Sequence, residues 1–149
     1  MTELPEFDLT DVAAYRFFKD DPLRSQDLDV VGHVNNNAIS GLFENGRIHL
    51  FMECGETLYG EGSENSLTWA VRRMTTDFIK EIRFPGVARV GSRPGRFGNT
   101  SMTLHQALFV GDVCHATAEV ILVQFDPVAR KPARIPDGLR EKLLAYLPD

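Results

Sequence analysis

Cysteine is scarce in this chain, with only Cys54 and Cys114, far apart and without metal-ligand spacing. A disulfide-stapled scaffold is thereby excluded, and both residues are expected to be buried, reduced thiols. Long apolar runs are missing too, which excludes a membrane-spanning helix, and the opening MTELPEFDLTD lacks the basic-then-apolar order of a secretory signal. A soluble cytoplasmic protein without membrane attachment is expected. There is no G-x-S-x-G elbow, no Walker loop and no G-x-G-x-x-G, and the four histidines show no metalloprotease pairing. His49 and Glu53 stand four apart, but two ligands are too few for a metal site, so no metal is expected. Internal repeats and low-complexity tracts are likewise absent.

Basic residues are in the minority, 16 Lys and Arg against 21 Asp and Glu, and the net charge of −5 argues against nucleic acid as a partner. The imbalance is uneven: residues 1–66 hold 13 acids and 4 bases, residues 67–149 hold 8 acids and 12 bases. From Ile82 to Gly111 there are four arginines and no acid. A small polyanion would find its charge partners in that second half.

What is present is enough for one domain: 149 residues of which 43% are hydrophobic. From Ala38, the residues Ile39, Leu42, Phe43, Gly46, Leu50 and Cys54 recur at spacings of three and four, which predicts a helix of about four turns ending at Gly55. Its two interior glycines, Gly41 and Gly46, each cost about 1 kcal/mol relative to alanine, so close approach of a neighbouring backbone is the expected reason for them. Ile48, Phe51 and Met52 widen the apolar surface beyond one stripe and predict a helix that is wrapped. After a polar, glycine-containing loop from Glu56 to Ser66, alternating β-branched sequence predicts strands near 67–82, 87–97, 101–110 and 113–125. Short links at Pro85-Gly86, Gly98-Asn99 and Gly111-Asp112 predict antiparallel neighbours. A first strand near Val12–Phe18 completes a five-stranded sheet. A short C-terminal helix opens at Pro136-Asp137-Gly138 and docks Leu139, Leu143, Leu144 and Leu147. The expected class is α+β, one sheet curled around one long helix.

The chemistry concentrates in Asp27-Leu-Asp29-Val-Val-Gly32-His33-Val-Asn35-Asn36-Asn37, immediately before the long helix. Short polar residues there favour turns and a helix start, and a helix start collects unpaired N–H groups. An acid aimed at those donors can attack a carbonyl whose oxygen they hold. Four arginines alone do not define a phosphate site, but Arg93, Arg96 and Asn99 stand beside a strand turn in the acid-free stretch.

This D-x-D-x-x-G-H-x-N-N pattern, followed by Glu44-Asn-Gly-Arg47, resembles the acyl-CoA thioesterases of the hotdog fold, the 4-hydroxybenzoyl-CoA thioesterase-like group. The resemblance extends over nearly the whole chain, including the Gly98-Asn99-Thr100-Ser101 turn. It implies hydrolysis of an acyl-CoA thioester by Asp29, acting as nucleophile or as base for water, with no cofactor because coenzyme A is part of the substrate. A carboxylate suffices because a thiolate leaves readily while helix N-terminal amides hold the oxyanion. The principal donor is assigned to the backbone N–H of Asn36, four residues after Gly32. Asp27 is read as a local capping carboxylate. His33 is expected to orient Asp29 or to touch substrate, with a loop-securing hydrogen bond as the competing role. Asn35 is expected to hold the loop near substrate, and Ile39, Leu42 and Phe43 to shape the acyl pocket. Many relatives carry a tyrosine where this chain has Ile39, which implies a differently shaped pocket. Arg93, Arg96 and Asn99 match the family's region of contact with coenzyme A, and Arg130, Lys131 and Arg134 form a second basic cluster. Glu44 and Arg47, three apart, can pair on one helix face and either could face the pocket; a structural role is the favoured reading for both, with Glu44 a backup acid.

The resemblance also implies a homodimer or homotetramer whose pockets lie between subunits, in keeping with a sheet that otherwise leaves an open edge. A non-catalytic protein that binds acyl-CoA or acyl-carrier protein is the alternative from another class. A hotdog dehydratase fits less well, since that branch carries a different His and Asp signature.

Overall fold

The computed structural model describes residues 6–55 and 67–148. The polar loop expected from Glu56 to Ser66 lies outside the described residues. A sheet of six strands surrounds one long helix. Strands β1 (Phe17–Pro22), β2 (Thr68–Phe78), β3 (Val87–Phe97), β4 (Ser101–Val110) and β5 (Val113–Asp126) run in the spatial order β1-β3-β4-β5-β2, all pairs antiparallel. A two-residue strand, β6 (Lys131–Pro132), adds to β5 beyond the five expected. Helix α1 (Asn36–Glu53) fills the concave side, and α2 (Asp137–Leu144) closes one end.

Alternation along the strands sorts the two faces of the sheet. Ala88, Val90, Leu104 and Leu108 point at α1 and are fully buried with Phe43 and Leu50. The contact is close because Gly46 has no side chain: a Cβ there would stand 2.7 Å from Val90 Cγ1. Close approach thus accounts for that glycine, though by the side chains of Val90 and Gln106 and not by the neighbouring backbone expected, whereas Gly41 has no heavy atom within 4 Å of its would-be Cβ and close approach does not account for it. Gln106, fully buried, donates from Nε2 to the carbonyl of Phe43 and to Ser92 Oγ, both at 2.9 Å, and so ties the helix to the sheet through a polar link.

The first strand begins later than expected. Val12–Ala14 form a single 3₁₀ turn, because Asp11 Oδ1 accepts from Ala13 N–H at 2.9 Å, and the ladder opens only at Phe17. Tyr15 instead lies on the convex face of the sheet against Gly91, where any Cβ would meet its ring, and donates its hydroxyl to Leu9 O at 2.7 Å. It forms a second small core with Ala14, Ala107, Phe109 and Cys114. The second strand stops at Phe78, short of the expected 82, and the following residues leave the ladder. In α2 only Leu143 is fully buried, Leu139 packs on the core, and Leu144 is 41% exposed, so it does not dock as expected. Both cysteines are buried.

Candidate active site

The loop before α1 is built around the two acids. Asp27 is buried. Its carboxylate accepts the backbone N–H of Arg24 at 2.9 Å and Arg24 Nη2 at 2.9 Å, closing a short 3₁₀ turn over Ser25–Asp27. The hydrogen bonds from Arg24 hold its carboxyl below the usual carboxylate range. This is the local capping role expected for it.

Asp29 is used differently. Its Oδ1 accepts the N–H groups of Val31 at 3.0 Å and His33 at 3.1 Å, while its own N–H donates to His33 O at 2.7 Å. Gly32, at φ +85°, turns the chain so that its N–H reaches Asp29 O at 3.1 Å. The loop thus orients the carboxylate through one oxygen. Among the described residues, Oδ2 accepts no hydrogen bond.

Asn35 is the N-cap of α1, its Oδ1 accepting the N–H of Ala38 at 2.8 Å. Asn36 is the first helical residue. Among the described residues its N–H finds no acceptor, as the first turn of a helix dictates. Asp29, His33, Asn36 and Ile39 share a cleft of about 210 Å³, whose far wall is Phe78–Ile82. The structure therefore places Asp29 and the first residue of the helix on one cleft.

His33 does not bond the Asp29 carboxylate through its ring. Its Nε2 stands 2.7 Å from Glu81 Oε2, and the second Glu81 oxygen takes two bonds from Arg83, at 2.8 and 3.2 Å. The Arg83 hydrogen bonds, together with the Arg83 and His33 charges, lower the Glu81 carboxyl from its ordinary value. Glu81 is the residue that sequence reasoning missed. It reaches the cleft because the chain after β2 stays tied to β5 through His115 O, which accepts the N–H groups of Ile79 at 2.9 Å and Lys80 at 3.1 Å, and then pairs with the motif loop: Val34 N–H donates to Ile82 O at 2.9 Å, and His33 bridges Arg83. The sequence signal was faint, one more charged pair, Lys80-Glu81, at the end of a stretch that already holds Arg72, Arg73 and Asp77.

The remaining sequence-predicted residues lie elsewhere. Phe43, one turn after Ile39, is fully buried beneath the sheet and does not line the cleft. Arg93 sits on the convex face, its guanidinium 3.5 Å from the ring centroid of Phe7 and donating to Ala14 O at 3.0 Å, where it secures the N-terminal segment. Arg96 and Asn99 are exposed at the β3–β4 turn. In register, that turn lies at the other end of the strands: Phe78 opposes Ala116, whereas Ser101 opposes Val123, about 23 Å along β5. Within one chain these three residues do not meet Asp29. The second basic cluster is also exposed, with Arg134 paired to Asp137 at 2.9 Å. Arg47, read as half of a structural pair with Glu44, is buried, while Glu44 is exposed.

The sequence model of the thioesterase-like superfamily matches residues 23–143, a span that holds the motif loop, α1 and all but the first strand. This chain belongs to the thioesterase-like superfamily. The fold is the hotdog, and solved thioesterase-like proteins superpose on it closely. A predicted thioesterase from Bacillus stearothermophilus shares 26% identity, covering 89% of this chain and 97% of that one, with a TM-score of 0.80. A thioesterase from Thermus thermophilus, crystallised in complex with coenzyme A and Zn, shares 26% identity over 89% and 94% of the two chains, with a TM-score of 0.78. A Pseudomonas aeruginosa protein shares 28% identity over 90% and 93%, also with a TM-score of 0.78. No curated protein matches this thioesterase-like chain in sequence. Among its described residues no helix is long and apolar enough to cross a membrane, and no three His, Cys, Asp or Glu side chains gather as metal ligands do.

Proposed function

We propose that this protein hydrolyses acyl-CoA thioesters to the free acid and coenzyme A, with Asp29 as the carboxylate catalyst. The observation that carries the reading is the pairing, in one cleft, of the unbonded Asp29 Oδ2 with the unsatisfied N–H of Asn36. In one route Oδ2 attacks the thioester carbon, expels the thiolate and leaves a mixed anhydride for water to open. In the other it takes a proton from water as that water attacks. In both, negative charge gathers on the carbonyl oxygen, where an oriented helix N-terminal amide lowers its energy, an effect worth about a hundredfold or more in rate. Glu81 fixes the His33 ring against the cleft wall, a positioning role. Labelling of the Asp29 carboxylate in heavy-oxygen water during a single turnover distinguishes the routes.

The active form is proposed to be a homodimer or homotetramer. Strand β2 ends the sheet with one edge open, and Val71, Phe78 and Ile79 beside it are about half exposed, an apolar margin suited to a second copy. Arg96 and Asn99 then serve the coenzyme A moiety only if they come from another subunit. A cytoplasmic setting accords with the two buried cysteines.

Thiol release from a panel of acyl-CoAs tests the activity, and sedimentation tests the assembly. Turnover of no panel member, with coenzyme A esters still bound, would establish a binding protein in place of the enzyme. A monomer in sedimentation refutes the shared pocket.

A further inference from the structure

On α1, Asn36, Ser40, Glu44, Arg47 and Phe51 follow at intervals of four, four, three and four, which places them on one stripe along the helix. At one end Asn36 lines the cleft together with Phe78, and at the other Phe51 stacks on Trp69, ring centroids 5.4 Å apart. Both contacts are with β2, so the stripe faces that strand. Across β2, Val71, Met74, Thr76 and Phe78 stand opposite buried residues of β5 and so share the concave face. The helix packs chiefly on β1, β3 and β4, and meets β2 at the Phe51–Trp69 stack. Ser40 and Glu44 are exposed on one bank, Val71 and Phe78 on the other. Two facing lines of exposed residues, one of them apolar, thus lead from the cleft of Asp29 toward the Phe51–Trp69 stack.

Arg47 sits one turn before that stop. Its side chain is only 7% exposed, and its Nη1 is buried with no hydrogen-bond partner among the described residues. The nearest carboxylate, Glu44, stands 3.7 Å from Nη2, too far for a hydrogen bond, and is 64% exposed. A buried guanidinium with an unfilled donor is costly, and a ligand oxygen that fills it recovers that cost. Burial also lowers the Arg47 pKa from its ordinary value, partly offset by Glu44, but leaves the group charged.

We propose that Arg47 anchors the far end of the acyl group and selects thioesters whose acyl chain terminates in a carboxylate. The inference rests on the thioesterase reading and supplies its substrate class. The guanidinium fork takes a carboxylate through two parallel hydrogen bonds, displacing the loosely held Glu44, whereas a methyl terminus offers it nothing. Length follows from the helix: eleven residues from Asn36 to Arg47 rise about 16 Å, and the arginine leans back toward the N-terminus by about one turn. Roughly 10 Å remain, or about eight bonds at the rise of an extended chain. A suberoyl group has that reach.

The test compares suberoyl-CoA with octanoyl-CoA on the full-length protein, chains of equal length that differ only at the end. The wild type is expected to favour suberoyl-CoA in kcat/KM by on the order of tenfold to a hundredfold. Arg47→Met is expected to bring the ratio to one or below, and Arg47→Lys, which keeps the charge without the fork, to fall between. Equal use of both substrates, or preference for octanoyl-CoA, overturns the anchor and leaves the thioesterase reading intact. Failure to hydrolyse any CoA thioester overturns the thioesterase reading and the anchor with it. A changed sedimentation of Arg47→Met with unchanged selectivity assigns the guanidinium to a subunit contact, which also overturns the proposal. If Arg47→Met does not fold, the wild-type ratio and Arg47→Lys decide.

Discussion

Replacing Asp29 by asparagine separates what this side chain does for the loop from what it does for catalysis. Oδ1 accepts two backbone N–H groups while Oδ2 is unbonded, and the amide of asparagine reproduces the first oxygen and neutralises the second. The loop therefore keeps its shape, and the melting temperature is expected to stay within about 1 °C of wild type. Turnover is expected to fall by about 10²- to 10⁴-fold, the usual contribution of a positioned acid or base, which corresponds to about 3 to 5 kcal/mol of barrier. Asp29→Ala loses the acceptor as well. Two solvent-facing hydrogen bonds together contribute about 1 to 2 kcal/mol, or roughly 2 to 8 °C in a protein of this size. The two variants should thus be alike in a thiol-release assay and different in a thermal melt. An asparagine variant that turns over within tenfold of wild type refutes Asp29 as the catalyst. One that melts as low as the alanine variant refutes the division of labour between its oxygens.

Asp27→Ala is expected to behave in the opposite way, losing about 1 to 2 kcal/mol of stability with its turn cap while the catalytic groups remain; urea titration beside the thiol assay measures both. Gly46→Ala should destabilise by about 1 to 3 kcal/mol through overpacking against Val90, less the gain of about 1 kcal/mol in helix propensity, and a melt above wild type would contradict the close approach. His105, buried between Arg93 and Glu119 on neighbouring strands, is held below its ordinary pKa chiefly by desolvation, with Arg93 adding to the shift and Glu119 opposing it. A depressed folded-state pKa means that its contribution is complete above about pH 6.5 and is lost as the pH falls below that value. His105→Gln should therefore lose less melting temperature than wild type between about pH 7.5 and about pH 5.5, and identical slopes would rule out this source of pH dependence.

Much of the architecture was legible because it rests on period. The spacing from Ile39 to Cys54 marks a helix, and the alternation from Met102 to Leu122 marks two strands, whatever surrounds them. The start of the sheet was not, since Val12–Ala14 are strand-like by composition but are diverted by the Asp11 cap and by the place Tyr15 finds over Gly91. At the site, the local geometry of Asp27, Asp29, Asn35 and Asn36 could be read because each acts within a few residues of itself. Glu81 and Arg47 could not, because the role of each depends on an element distant in sequence: Glu81 on the motif loop, Arg47 on the course of β2. Arg93 was misleading for the same reason, since a guanidinium beside a turn looks available until Phe7 covers it.

The polar link from Gln106 to the Phe43 carbonyl, beside the tight seat of Gly46 on Val90, works as a pivot block for α1. It grips the helix at its middle, about 10 Å from Asn36, so the Asn36 end of the helix is aimed from below by the sheet and not from above by its own entry loop. That frees the Leu28–Val34 loop, which carries Asp29, from the task of holding the helix. Substitutions at the exposed Val30 and Val31 could therefore be made while Asp29 is kept and the first amide of α1 stays where β3 and β4 put it.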